Sequence, residues 1–440
     1  MPAFMIMQLE TARGMRDIAP EDEMLREEIT KTFTSIFTKY GFVPLNTPII
    51  ERYDVLSAKF AAGEESDAMA ETYTLKDNGD RELGLRFDLT VPLSRYVGMN
   101  PVMKLPFKRY QIGKVFRDAP IKHGRFREFV QCDVDIIGSK KMVADAVCIA
   151  VALDCYKEFN IDIVMRVNNR KFLVELLEKN GLANEYADSI IMSIDKLDKV
   201  GKKGVLKEID EKGFNSKSVE AVLDLIIAST GSNEEKLVAF EKALGESEAI
   251  NELKEVLSFF DQKNVVFDPT LARGLGYYTG TIFEAESTDK SVGSIGGGGR
   301  YDKLIGSYLG GNKEFPATGM SFGLDRMVEV IKKLNLNKEQ KTRTQLLVIP
   351  MNTVKESFAI AQQFRDANIN TDLDVMGRNI KKNLSNANDL GIPFIAIVGE
   401  NELAENKVML KDLEKGEEKL VSVEDAIRII KDNLKGFEKQ

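Results

Sequence analysis

Two glycine-rich stretches carry the residues most suited to chemistry. The first, "RGLGYYTGTIF" (273–283), joins Arg273 to the adjacent pair Tyr277 and Tyr278, and the second, "SIGGGGRYD" (294–302), joins Arg300 to Tyr301. Glycine lets backbone approach a ligand or another strand closely, so each stretch reads either as close backbone packing around a hairpin or as the wall of a binding site. Arginine in such a wall points to an anion, since the planar guanidinium fork matches carboxylate and phosphate oxygens.

A third region is strongly basic. Lys108, Arg109, Lys114, Arg117, Lys122, Arg125 and Arg127 fall within twenty residues, with Asp118 the single acid among them. Strand alternation sets Arg117 on the face of Val115, among apolar neighbours, where its charge needs a partner. That partner is either a carboxylate such as Asp133 or Asp135 or a phosphate. Neither a "GxxxxGK[ST]" loop nor a "GxGxxG" loop after a strand occurs, so a bound nucleotide would depend on arginines for its phosphates. The candidates are Arg117, Arg273, Arg300 and Arg326.

In "LRFDLTVPLSRY" (85–96), alternation along a strand would place Arg86, Asp88 and Thr90 on one face. A carboxylate beside a hydroxyl suits an ammonium group, although a ladder of cross-strand pairs has the same pattern.

Composition narrows the chemistry further. The chain has one histidine, His123, which excludes a multi-histidine metal site and any Ser-His-Asp arrangement built elsewhere. Cys132, Cys148 and Cys155 are spaced for neither zinc nor a disulfide framework and read as buried free thiols. A net charge of −8 argues against general coating of nucleic acid but leaves room for a local basic stripe. No apolar run reaches the length of a membrane span, and the N-terminus lacks the basic leader and apolar centre of a signal peptide, so a cytoplasmic protein is expected.

The elements that must hold these residues follow from periodicity. A helix is expected from Pro20, with acids in its first turn, an apolar face of Leu25, Ile29, Phe33, Ile36, Phe37 and Tyr40, and Gly41 closing it. Short apolar or alternating pieces then read as successive antiparallel strands up to "REFVQCDVDIIG", followed by a helix from about Ala144 to Glu158 and a strand "DIVMRVNN". From 170 to 263 the texture is helical throughout, after which strands resume. "NLNKEQKTRTQ" reads as a linker, and beyond it strands alternate with helices, one of which places Val354, Phe358 and Ala361 on one face. The implied layout is a sheet domain in two parts (1–169 and 264–335), a helical insertion (170–263) and a C-terminal α/β domain (345–440).

Taken together the motifs resemble class II aminoacyl-tRNA synthetases over nearly the whole chain. "NTPIIE", with Pro48, resembles the first class motif at the dimer interface, "KVFRDAPIKHGRFREFVQCDVD" the second and "GMSFGLDRM" the third. Those leave other members of the class open; "RGLGYYTG", "GGRYD" and "LRFDLT" resemble the histidyl-tRNA synthetase family. The resemblance implies an α+β catalytic domain, an antiparallel sheet flanked by helices, with a mainly helical insertion and a C-terminal α/β anticodon-binding domain. It implies a homodimer acting on histidine, ATP and tRNA(His), with Mg²⁺ on the ATP phosphates and no metal held by the protein itself.

By motif match, Asp88, Thr90 and Gln131 would hold the histidine α-amino group, Asp135 and Tyr278 the imidazole ring, and Tyr277 and Tyr301 the remaining pocket wall. Arg273 would reach the histidine carboxylate and the α-phosphate. Arg117 and Arg326 would grip the α- and γ-phosphates, and Glu128 the adenine side. Lys122, His123 and Arg125 would face the tRNA acceptor end, and Arg378, Lys381 and Lys382 would contact the tRNA backbone from the anticodon-binding domain. One departure stands out: the family commonly has Asp where this chain has Gly276, which either removes a catalytic group or only loosens the loop, and the presence of Arg273, Tyr277 and Tyr278 favours the second. The regulatory subunit of ATP phosphoribosyltransferase shares the catalytic-domain likeness, but the phosphate arginines and the C-terminal domain favour the ligase.

Overall fold

The computed structural model describes residues 9–57, 71–120, 126–272, 277–289, 291–309, 314–336 and 340–437. The chain forms two compact units, Met1–Asp17 with Arg26–Asn337, and Ile18–Leu25 with Lys338–Gln440.

The first unit is organised by an eight-stranded sheet. Its strands are β1 (Val43–Pro44), β5 (Phe107–Phe116), β6 (Glu128–Ile137), β7 (Ile163–Asn169), β8 (Val265–Phe267), β9 (Thr281–Ser287), β10 (Ser294–Arg300) and β11 (Ala317–Gly323). The spatial order is β1-β5-β6-β11-β10-β9-β7-β8. The six central strands pair antiparallel. At both edges the sheet departs from the expected antiparallel pattern, because β1 runs parallel to β5 and β8 parallel to β7. A smaller antiparallel sheet joins β2 (Ile50–Arg52), β3 (Thr74–Lys76) and β4 (Glu82–Leu85) in the order β2-β4-β3.

Helix Pro20–Lys39 starts on proline, has Glu21, Asp22 and Glu23 in its first turn and ends on Lys39, the polarity that favours a helix dipole. Phe33 and Phe37 are fully buried and stack against Phe322 of β11, with ring centroids 4.9 and 6.0 Å away. Helix Val143–Glu158 covers the sheet with Cys148, Ile149, Val151, Ala152, Cys155 and Tyr156, all inaccessible to solvent. The three cysteines are free and buried.

Between Arg170 and Leu257 the regular elements are all helical: Arg170–Lys179, the 3-10 turn Asn184–Tyr186, Ala187–Ile194, Leu197–Glu211, Ser216–Ala228, Asn233–Leu244 and Glu248–Leu257. A T-shaped aromatic cluster of Phe172, Phe240 and Phe267 ties them to β8. The stretch clusters with the large sheet as one unit.

The second unit is a five-stranded sheet in the order β13-β12-β14-β15-β16, from β12 (Leu346–Met351), β13 (Thr371–Leu373), β14 (Phe394–Gly399), β15 (Val408–Asp412) and β16 (Glu417–Val421). The first three strands run parallel and the last two antiparallel. Leu346, Val348, Phe364 and Phe394 pack on one face of this sheet, and Leu347, Ile349, Ala387 and Ile395 on the other. In helix Val354–Asp366 the buried face is Ser357, Ile360, Ala361 and Phe364, whereas Val354 and Phe358 are exposed. The expected face was therefore wrong for two of its three residues: the helix carries apolar side chains on both sides, and i, i+4, i+7 spacing does not choose between them.

Candidate active site

The centre of the large sheet carries a cavity of about 380 Å³. Gln131, Asp133 and Asp135 alternate along β6 and so share one face, the face that lines the cavity. Register extends this floor sideways: Asp133 opposes Ser321 on β11, Ser321 opposes Gly297 on β10, and Gly297 opposes Glu284 on β9. Asp88, Thr90, Arg117, Tyr277, Tyr278 and Tyr301 complete the wall.

The glycines keep the floor bare. "SIGGGG" is not a hairpin turn but the body of β10, and the close packing expected of it is real. A Cβ at Gly298 would meet the Gly319 carbonyl at 2.0 Å. Gly299 packs against the Tyr278 ring, and a Cβ on Gly319 would collide with Asp135 Oδ1.

Asp88 and Thr90 reach the cavity by a different route from the one expected. β4 stops at Leu85, and Thr90 opens the helix Thr90–Met99. Asp88 Oδ1 accepts from the Val91 amide at 2.9 Å, so its carboxylate binds the helix start, and Pro92 sits in the first turn. Arg86 shares no face with them. Its Nη1 donates to the Thr47 carbonyl at 2.6 Å and its Nε to the Lys114 carbonyl at 2.8 Å, a structural role.

Asp135 is almost fully buried and engaged twice. Tyr301 donates its hydroxyl to Oδ1 at 2.5 Å, and Arg109 Nη2 forms an ion pair with Oδ2 at 2.8 Å. Burial pushes the Asp135 carboxyl above the usual carboxylate range, while Arg109 and then Tyr301 oppose the rise. Burial likewise pushes Asp133 up to about 7 against the pull of Arg109. Burial also raises the phenols of Tyr277, Tyr278 and Tyr301, so all three are neutral donors around neutral pH. Tyr277 lies 4.8 Å from Tyr278 and edge-on to Tyr301 at 5.8 Å, centroid to centroid.

Gln131 donates to Ser321 Oγ at 2.9 Å, leaving its buried Oε1 without a hydrogen-bond partner among the described residues. Asp133 Oδ1 is buried and unpartnered in the same sense. The floor is therefore rich in acceptors, which suits a ligand bearing ammonium or N–H groups.

Arg117 also lines the cavity. It donates from Nε to the Phe87 carbonyl at 3.0 Å and lies over the Phe129 ring at 5.2 Å. Among the described residues no carboxylate pairs with it, so neither Asp133 nor Asp135 is its counter-ion. Arg300, another sequence candidate for a phosphate, has both terminal nitrogens engaged in structure: it pairs with buried Asp145 and with Asp302 and donates to the Ser139 carbonyl, while its Nε has no hydrogen-bond partner among the described residues.

The structure brings together Asp88, Thr90, Arg117, Gln131, Asp135, Tyr277, Tyr278 and Tyr301. Glu128 and Arg326 are not part of that wall. Glu128 pairs with Lys114 at 2.6 Å, and Arg326 pairs with Glu329 at 3.1 Å and donates to the Val292 carbonyl. Arg273, Gly276, Lys122, His123 and Arg125 lie outside the described residues. Arg378, Lys381 and Lys382 are exposed at the start of helix Ile380–Leu390 in the second unit. Sequence reasoning missed Asp133 and Glu284 as pocket residues and Arg109 beneath it; alternation along β6 was the available signal for Asp133.

A six-stranded antiparallel centre, a glycine-bared floor and an arginine that no carboxylate pairs with among the described residues define a class II aminoacyl-tRNA synthetase with a helical insertion and a C-terminal anticodon-binding domain. Residues 14–327 match the family model described as histidyl-tRNA synthetase, and residues 345–433 the one described as anticodon binding domain. A histidine–tRNA ligase of Bacillus cereus is 37% identical over 434 residues, covering 97% of this chain and 100% of that protein. The crystal structure of histidyl-tRNA synthetase from Nostoc superposes with a TM-score of 0.83 at 30% identity, covering 97% of this chain and 100% of that one. A Bacillus halodurans structure titled as an ATP phosphoribosyltransferase regulatory subunit/histidyl-tRNA synthetase has a TM-score of 0.71 at 22% identity, covering 86% of this chain and 97% of that one, a likeness of fold alone. The chain belongs to the histidyl-tRNA synthetase family. Histidine–tRNA ligase is the activity that this membership and the full-length likeness support.

Proposed function

We propose that the cavity carries out histidine activation and transfer with the residues that line it and with Glu128, Arg273 and Arg326 from outside the described wall. The observation that carries the reading is one cavity lined both by buried acceptors and by an arginine without a carboxylate partner among the described residues. Asp88, Thr90 and Gln131, with Asp133 beside them, receive the α-ammonium group. Asp135 accepts from the ring N–H, and Tyr278 donates to the other ring nitrogen. A pocket that hydrogen-bonds a substrate's polar groups rejects analogues lacking them by about 10⁴ or more.

ATP enters as its Mg²⁺ complex, with the ion on the phosphates. Arg117 and Arg273 hold the α-phosphate, Arg326 the γ-phosphate and Glu128 the adenine side. A histidine carboxylate oxygen bonds to the α-phosphorus as the bond to pyrophosphate breaks. The terminal ribose hydroxyl of tRNA(His) then bonds to the activated carbonyl carbon, and AMP departs. Positioning and electrostatic stabilisation of phosphoryl charge suffice for the first step, without a protein nucleophile.

Lys122, His123 and Arg125 are assigned to the acceptor end of tRNA. In the second unit, Arg378, Lys381 and Lys382 follow the exposed side chains of Val375 and Met376, 85% and 69% accessible, a basic and apolar surface suited to phosphates and unstacked bases. A homodimer is supported by the exposure of Val43, Ile49 and Ile50 around the first class motif. Among the described residues no helix is long and apolar enough to cross a membrane; a cytoplasmic location is part of the proposal. Against the regulatory-subunit reading stands the anticodon-binding match at 345–433.

The test is ATP–pyrophosphate exchange with each amino acid in turn. Exchange with histidine alone, lost in Arg273→Ala, supports the assignment. A folded protein that exchanges with no amino acid overturns it and makes Gly276→Asp the next variant.

A further inference from the structure

Arg109 sits mid-strand in β5 with no solvent exposure and does not line the cavity. Its Nη2 is 2.8 Å from Asp135 Oδ2 and donates to the Leu89 carbonyl at 3.0 Å. Leu89 lies between Asp88 and Thr90, so one guanidinium spans from the ring-reading carboxylate to the turn that carries the ammonium ligands. Arg109 Nε and Nη1 have no hydrogen-bond partner among the described residues. A buried guanidinium so poorly satisfied is an expensive way to hold two elements together, and an apolar side chain of similar volume often serves stability as well or better. Its place under the substrate floor gives a reason for the charge.

We propose that Arg109 is a positioning residue for the amino-acid substrate, keeping Asp135 ionised and fixing its distance from the Asp88–Thr90 turn. The proposal rests on the histidine reading above. An ionised Asp135 can only accept, and therefore selects a ring N–H; a protonated one carries an O–H and competes for the wrong ring nitrogen. The groups facing Asp135 are Arg109 from β5, Asp133 on its own strand, Tyr301 after β10, Tyr278 before β9, Asp88 from the turn before Thr90, and Cys148 from helix Val143–Glu158. Arg109 is the one cation in that set. Without it, only the Tyr301 hydroxyl opposes burial and the neighbouring carboxylates, and Asp135 takes up a proton at higher pH.

The experiment is histidine-dependent ATP–pyrophosphate exchange from pH 6 to 9 with wild type, Arg109→Met, Arg109→Lys, Asp135→Asn and the Arg109→Met/Asp135→Asn double variant. The expected result for Arg109→Met is a histidine KM raised about 100-fold at pH 7, an ATP KM within about threefold of wild type, and a deficit that shrinks as pH rises. Arg109→Lys should recover about tenfold of the loss. In the Asp135→Asn background, where that carboxyl can no longer titrate, the arginine substitution should add less than about threefold at any pH.

A histidine KM unchanged in Arg109→Met, or a loss equal at every pH and unrelieved by lysine, overturns the proposal in favour of a purely structural role. Should Arg109→Met fail to fold, Arg109→Lys decides the matter: a KM defect of about tenfold that grows toward pH 6 supports the proposal, and a pH-independent one overturns it. Wild type that does not exchange with histidine at all defeats the histidine reading and not this step built upon it.

Discussion

Gly319 lies against Asp135 so closely that a Cβ on Gly319 would stand 2.1 Å from the Asp135 Oδ1 oxygen. The two residues face each other across β11 and β6. The contact cannot be relieved by moving a flexible tip, because Tyr301 and Arg109 hold the same carboxylate from the other sides. Gly319→Ala should therefore displace the ring-reading group while leaving the phosphate side intact. The expected outcome in steady-state exchange is a histidine KM raised about 100-fold, roughly 2.7 kcal/mol, with the ATP KM within about threefold.

Arg117 presents a guanidinium to the cavity with the Phe87 carbonyl and the Phe129 face as its neighbours. If its task is to stabilise charge developing on the α-phosphate, the defect on removal must appear in the rate rather than in substrate binding. Single-turnover adenylate formation should slow about 10² to 10³-fold in Arg117→Ala. Arg117→Lys should recover only part of this, since an ammonium supplies the charge without the fork. An unchanged single-turnover rate would remove Arg117 from the reaction.

The reason some of this was legible in the sequence, and some not, lies in what one-dimensional patterns encode. The periodicity of Leu25, Ile29, Phe33, Ile36 and Phe37 decided one helix face because the opposite face is charged. Helix Val354–Asp366 has apolar residues on both faces, and only packing against β12 and β13 chose between them. Among the described basic residues of the stretch nothing local marks Arg109 as the fully buried one. Its partner is fixed by register across β5 and β6, where Arg109 opposes Asp135. The Asp88 turn left a readable trace in retrospect: Asp three residues before the Val91 amide it binds, with Pro92 next, is a helix-start signature that competed with strand alternation.

Asp325 holds three partners from distant parts of the chain. Arg26 donates to it at 2.6 Å, Arg16 at 3.1 Å, and the Val130 amide to its Oδ2 at 3.0 Å. Asp325→Ala takes the carboxylate away from the nearly buried Arg26 and the acceptor away from an inner-strand amide together. Removing one partner of a buried pair costs about 3 to 5 kcal/mol. The expected result is a loss of that order in urea unfolding of the full chain. Asp325→Asn, which keeps an acceptor for Val130, should lose less.

Asp133 is buried with its carboxyl pushed up to about 7, chiefly by burial, from an ordinary value near 3.8. Between those values the unfolded chain has released the proton and the folded chain has kept it. The folded state therefore binds more protons, and the Asp133 contribution to stability declines as pH rises from about 4 to about 7, then stays flat. The ceiling on this loss is about 4 kcal/mol, from roughly three pH units at about 1.4 kcal/mol each. Asp133→Asn is close in shape and cannot ionise, so it should raise the thermal midpoint relative to wild type at pH 8 and bring little gain at pH 4.5. The same substitution should weaken histidine binding, because Oδ1 is one of the floor's open acceptors. Opposite signs in the two assays, measured on one variant at pH 8, would identify Asp133 as a carboxylate kept for the ligand at the expense of the fold. A variant neither stabilised at pH 8 nor impaired in binding would show that Asp133 is ionised and satisfied in the free protein.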